Sequence, residues 1–279
     1  STFTLDNTGE VVIGGTNNLG FYVESGGTLN ISGGKVSNTE DGIFAYLEGG
    51  NMTFASGNND IDYANVIVGS GGSLVNQSTI TTGKTGLQAK NTGSTILNDT
   101  TGVINSGAVN AAAMTAVDGA KLDNKGEINL TGEKAIGMYV DKATGESSGK
   151  VNVGDKSIAY YADGTGGELT ITGETTLGKN STLLAAVDGG KINYQSGAVT
   201  VGDEQYGALI KGSASAIDFG GNDLTTGTKS IGVILQNGGQ LDSTLGDINT
   251  GESSIGIYTT DGTNLVSPSS RTINLSENA

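Results

Sequence analysis

The chain has no cysteine, no histidine and no tryptophan, and it carries a single proline, Pro268, and a single arginine, Arg271. Without cysteine there is neither a disulfide framework nor a thiol nucleophile. Without histidine as well, a serine–histidine triad and an ordinary zinc site are excluded. Basic residues are scarce: 14 Lys and Arg stand against 29 Asp and Glu, for a net charge of −15. That balance opposes binding to nucleic-acid phosphates and to anionic lipid. No apolar run approaches the roughly 18 residues of a membrane span, and no signal peptide is visible. Aromatic residues make up only 5 %, while glycine occurs 48 times in 279 residues. Glycine at that density, with Ser, Thr and Asn, is the composition of disorder. The regular return of Val, Ile and Leu is not.

What is present is a repeat. Ile128-Asn129-Leu130-Thr131-Gly132-Glu133-Lys134-Ala135-Ile136-Gly137-Met138-Tyr139 reads as a short strand, a glycine corner and a second short strand. The pattern returns at 151–161 around Gly154, 199–209 around Gly202, 224–234 around Gly227 and 248–258 around Gly251. In each copy the final residue, the anchor, follows the corner glycine by seven positions. Weaker copies extend the series to eleven anchors: Tyr22, Tyr46, Ile67, Gln88, Ala116, Tyr139, Tyr161, Ala186, Leu209, Ile234 and Tyr258. A period of about 24 residues falls in the range of solenoids. The leucine–asparagine pattern and helix of leucine-rich repeats are missing.

Each unit holds three short alternating stretches bounded by Gly and Asn, as in Leu19–Val23, Thr28–Ile31 and Gly33–Val36, which is the strand signature. Nothing sustains a helical period; Ala111–Met114 is too short. Units this small cannot bury their own apolar face, so they stack, with each strand pairing to its equivalent one coil later. The expectation is an all-β parallel β-helix of about eleven coils, three strands per coil. At about 4.8 Å per coil it makes a rod roughly 50 Å long. Strand parity turns the columns one before and one after the anchor inward, with the column three before (Ile136, Ile231, Ile255). The two-before column, rich in glycine, and the anchors face out. Asn76, Asn98 and Asn124 recur at intervals of 22 and 26 in the middle strand; stacked there, their amides can hydrogen-bond from coil to coil. Thr272–Leu275 reads as another third strand, and Pro268 as a corner residue that removes no ladder bond. No domain boundary is visible. Residues 1–279 read as one segment cut in mid-repeat at both ends.

The nonamers Thr131–Tyr139 and Gly26–Gly34, with Ile128–Gly132, resemble the passenger domains of large type V autotransporter adhesins of the fusobacterial outer-membrane kind. The resemblance covers nearly the whole chain, through motifs that are structural. It implies a right-handed β-helix exported to the bacterial surface and held there by a C-terminal outer-membrane β-barrel that this chain lacks. It also implies adhesion to a protein or glycan of host cells or other bacteria. No binding residue carries over from it.

For chemistry, the alternative is a β-helical polysaccharide-processing enzyme, a glycosidase or lyase. Its candidate carboxylates are Glu40-Asp41, Asp60 with Asp62, and Asp203-Glu204. A glycosidase needs two carboxylates at a set separation across a cleft. Lyases acting on acidic sugars need basic subsites, and one arginine is a poor supply. Asp203-Glu204 also falls at the same corner as Glu133-Lys134 and Asp155-Lys156, where a solvated turn explains it. No catalytic residue, metal site or cofactor is therefore assigned, and the calcium-binding nonapeptide of secreted β-rolls is missing. For binding, five anchors are tyrosine: Tyr22, Tyr46, Tyr139, Tyr161 and Tyr258. Parity points them outward, the pairs Tyr22–Tyr46 and Tyr139–Tyr161 stand within stacking reach, and a bare glycine strip is expected beside them. Exposed tyrosines suit protein or sugar contacts; tyrosine is also simply a good strand former.

Overall fold

The computed structural model describes residues 1–15, 17–57, 59–241, 244–260, 271–276 and 278. Among them there is no helix. Strands pair in parallel with their equivalents one coil on, and the result is a β-solenoid of about 11 turns of roughly 24 residues. The anchor sheet has eleven strands in chain order, from Leu19–Glu24 and Ile43–Glu48 through Ile136–Asp141 and Ile158–Asp163 to Ile255–Thr259. The middle sheet includes Thr28–Ser37, Asn51–Phe54, Ser73–Asn76, Thr95–Asn98 and Lys121–Asn124, and continues to Ala216–Asp218. The third side is divided between a five-stranded sheet spanning Thr79–Thr81 to Thr175–Leu177 and a four-stranded one from Val199–Val201 to Ile273–Asn274. Three strands per coil is thus the arrangement found. Ile273 and Asn274 pair with Ile248 and Asn249 as a third strand should, and Ala112–Val117 is a strand of the anchor sheet. Pro268 lies outside the described residues.

Two expectations need correction. The register pairs Gln88 with Thr115, Thr115 with Tyr139, and Tyr161 with Ala185. The anchors of those coils are therefore Thr115 and Ala185; Ala116 and Ala186 sit one residue later, facing in and fully buried. At Thr115 the corner position seven residues earlier holds Ala108 rather than glycine. Gly178 does stand seven residues before Ala185, so the constant offset gives Ala185 and only the Ala185-Ala186 doublet obscures it. The second correction concerns the inward columns. In Ile136–Asp141 the burial runs half-buried, buried, buried, half-buried, buried, half-buried, so strict alternation breaks just before the anchor. Met138 and Val140 point inward as expected, but so does Gly137, while Ile136 lies on the outer side with Ile231 and Ile255. The pairing shows the bend: Ile136 meets Ile158 and Met138 meets Tyr160, with no register partner for Gly137. A Cβ on Gly137 would lie 2.6 Å from the Ala159 carbonyl oxygen and 2.7 Å from Val151 Cγ1. Glycine occupies this column because the bend presses it beneath the next coil, not because it faces solvent.

The interior is a thin column of apolar side chains, with Phe21, Phe44 and Phe54 in successive ring contact at 5.3 and 5.5 Å. Its middle carries the asparagine ladder. Asn76 Nδ2 donates to Asn98 Oδ1 at 2.9 Å, Asn98 Nδ2 to Asn124 Oδ1 at 2.8 Å, and Asn124 Nδ2 to Ser147 Oγ at 3.2 Å. All three amides are fully buried, so each bond removes a desolvation penalty that an isolated amide would carry. The corners are bonded along the axis as well. Lys134, Lys156, Glu204, Lys229 and Ser253 hold left-handed φ of 55–57°, a conformation unfavourable for side-chain-bearing residues. It is held in place by bonds between neighbouring turns, such as Lys156 N–H to the Lys179 carbonyl at 2.8 Å. Below them, Ser157, Ser181, Ser230 and Ser254 accept backbone N–H groups from the coil before.

Candidate functional site

The outer face of the anchor sheet carries the tyrosines. Tyr22 and Tyr46 are paired in register, with ring centroids 5.9 Å apart and planes inclined by 15°. Tyr139 and Tyr161 are likewise paired, edge to face, at 5.2 Å and 76°. Both arrangements are favourable ring geometries. Tyr22 is 55 % exposed and Tyr258 45 %; Tyr258 follows Ile234 in register and has no aromatic neighbour among the described residues. The structure thus joins four of the five candidate tyrosines into two pairs and leaves the fifth apart.

No bare glycine strip borders the rings: of that column Phe44, Gly137 and Ala159 are buried beside the paired tyrosines, and Gly20 in the first coil is exposed alone. The outward neighbours are instead aliphatic side chains three residues before the anchor and carboxylates two after it. Leu19 pairs with Ile43 and Glu24 with Glu48 around the first tyrosine pair. Ile136 pairs with Ile158 and Asp141 with Asp163 around the second. Each patch is therefore two coils deep, with an aliphatic row, a tyrosine row and an acidic row. In sequence the same row is written as Tyr-x-Glu or Tyr-x-Asp at Tyr22, Tyr46, Tyr139 and Tyr161, where a carboxylate just after a strand has the look of a corner residue.

The phenols of Tyr46, Tyr139 and Tyr161 are held protonated at neutral pH. Tyr139 donates to Asp163 Oδ2 at 3.2 Å. Burial chiefly, and then the Asp163 and Asp141 carboxylates, push its phenol well above the usual value. Tyr161 is raised by burial and by Asp163 and Asp188, and Tyr46 by burial and Glu48. A phenol that holds its proton beside a carboxylate offers a ring face and a fixed hydroxyl at neutral pH.

The carboxylates considered for catalysis lie in corners or strand edges. Asp203 Oδ1 accepts the Thr228 N–H at 2.7 Å, and Glu204 pairs with Lys179 at 3.3 Å. Glu133 and Lys156 make the matching corner pair at 2.9 Å. Asp41 lies 3.9 Å from Lys84, and Asp60 sits in a short strand paired with Lys35. Among the described residues no group of three or more acidic side chains gathers as a metal cluster would. A shallow groove of about 510 Å³ follows the corner glycines Gly102, Gly126, Gly149 and Gly173, between Lys125 and Glu127 and beside Lys150. No protein family, curated protein or solved structure matches this chain.

Proposed function

We propose that the chain is a non-catalytic β-helical rod of a bacterial surface adhesin, exported as an autotransporter passenger and continuous with an outer-membrane β-barrel. Its outer anchor-sheet face docks a protein or glycan on host cells or other bacteria. The observation that carries this reading is the pairing of tyrosines in register on the outer face of one sheet. Paired rings offer apolar area and a hydroxyl with little rotamer freedom to lose. The disposition of Asp203 and Glu204 favours the same reading over a polysaccharide-processing enzyme, since both carboxylates are engaged in joining one corner to its neighbours. The export route and the surface location rest on the sequence resemblance.

The test is to replace Tyr139 and Tyr161 together by serine and to measure adhesion of the displayed protein alongside its thermal unfolding. Adhesion should fall about tenfold or more with a small stability change. Lost stability with unchanged adhesion would reduce the tyrosines to scaffold.

A further inference from the structure

In-register like charges repel across neighbouring strands, and the rest of this rod compensates for them. Asp123 faces Glu146 in the middle sheet, but Lys125 lies 3.2 Å from the first and Lys121 2.9 Å from the second. The tyrosine patches differ. Glu24 faces Glu48, and Asp141 faces Asp163, one coil apart. Among the described residues neither pair has a lysine or arginine in ion-pair contact. In the other coils the same row holds Gly69, Lys90, Val117, Val187, Lys211, Gln236 and, beside Tyr258, Thr260. Carboxylates thus occur on this row only beside a tyrosine, and there twice in succession.

We propose that this face docks a basic, extended polypeptide segment of a partner protein, with its lysine or arginine side chains lying over the tyrosine rings between the stacked carboxylates. The inference rests on the reading of the face as a docking surface, and it names the partner's chemistry. A cation over a tyrosine ring is attracted by the ring quadrupole, and two carboxylates one coil apart give it a bridging position. The aliphatic rows, with Leu19 49 % exposed, receive the stems of the same side chains. The overall charge of −15 draws such a segment in and makes the encounter sensitive to salt. A neutral glycan would leave the carboxylate pairs uncompensated.

The geometry also sets a spacing. The patches are centred five coils apart, about 24 Å at ~4.8 Å per coil, which an extended chain covers in about seven residues. Lys90 is the one cation on the row between them, so the intervening residues of the partner are neutral or acidic.

The probes are two synthetic peptides, each with two lysine pairs in a neutral sequence, the pairs about seven residues apart in one and about three in the other. Binding to the purified chain is read by fluorescence anisotropy at low and high salt. The longer spacing should bind about tenfold more tightly, because its second contact is intramolecular. Asp141→Asn with Asp163→Asn should cost about tenfold and erase the spacing preference, as should Glu24→Gln with Glu48→Gln. Asp60→Asn with Glu174→Gln removes the same charge from exposed positions off this face and should change little. An equal loss in that control, or no binding to the unaltered chain, overturns the inference. If the Tyr139→Ser, Tyr161→Ser chain loses adhesion while neither peptide binds, the face docks some other partner and the inference alone falls. If adhesion is unchanged as well, the docking surface falls with it.

Discussion

One interior column of the middle sheet is built in two different ways. At its ends it holds Ile31 and Phe54, then Ile171, Tyr194 and Phe219; between them it holds Asn76, Asn98, Asn124 and Ser147. The backbone and its register are the same throughout. The apolar stretches are stabilised by removal of surface from water, a contribution that each residue makes almost independently. The polar stretch is stabilised as a set, since each amide bonds to the next polar residue of the column. Asn76, which borders Phe54, closes that end by accepting the Ser78 N–H at 3.2 Å. In this column the polar residues form one contiguous block, and its far boundary is closed by a small hydroxyl that meets the last amide. Ser147 has that role: its hydroxyl accepts from Asn124 and lies 3.4 Å from the Tyr160 hydroxyl, which in turn accepts from Thr175 at 3.3 Å.

The sharpest way to break the comparison is to put an amide in the wrong block. Ile171→Asn removes a fully buried aliphatic side chain and adds polar atoms with a single hydroxyl within reach, so denaturant unfolding should register a loss of about 4 kcal/mol. Asn98→Leu, the reverse exchange, orphans a donor on Asn76 and an acceptor on Asn124, at about 1–3 kcal/mol for each unsatisfied group. Exchanging the whole block, Asn76, Asn98 and Asn124 to Val with Ser147 to Ala, should be milder than Asn98→Leu alone, at about 2 kcal/mol or less. A block exchange costing more than the single one would show that the amides act independently. The smallest effect concerns alkaline pH. Burial raises the Tyr160 phenol above the ordinary tyrosine value of about 10, although hydrogen bonds to Ser147 and Thr175 pull it down. A raised folded pKa means that stability from this group is intact below about pH 10 and declines as pH rises through the folded value. Tyr160→Phe should therefore lose less stability between pH 9 and about pH 11 than the parent does, as thermal melts would show.

Much of this architecture is legible in the sequence. The period, the three strands and the outward tyrosines follow from glycine corners at a constant offset from the anchor, and the asparagine ladder follows from residues recurring at one position of successive coils. Legibility fails where a local rule is bent by its neighbours. Alternation assigns Ile136 inward and Gly137 outward, because parity cannot register that the strand folds over just before Met138. Thr115 is displaced by one residue because Ala108 replaces its corner glycine, and Ala185 because its neighbour Ala186 is indistinguishable from it by residue type, although Gly178 keeps the offset. The acidic rows beside the tyrosines escaped because a carboxylate after a strand looks like the start of a turn; only register reveals that two of them face each other.

The axial bonding of the corners has a mechanical consequence. Hydrogen bonds between coils, including those of Lys134, Lys156 and Glu204, lie along the rod. Tension applied at its two ends meets them in series, so a coil is peeled from the stack while its neighbours stay loaded but closed. Each release exchanges about 4.8 Å of rod for about 24 residues of slack chain, roughly 80 Å when extended. Under flow or pulling, such a rod lengthens in steps and yields at its outermost coil first, leaving the interior turns and the faces they carry intact.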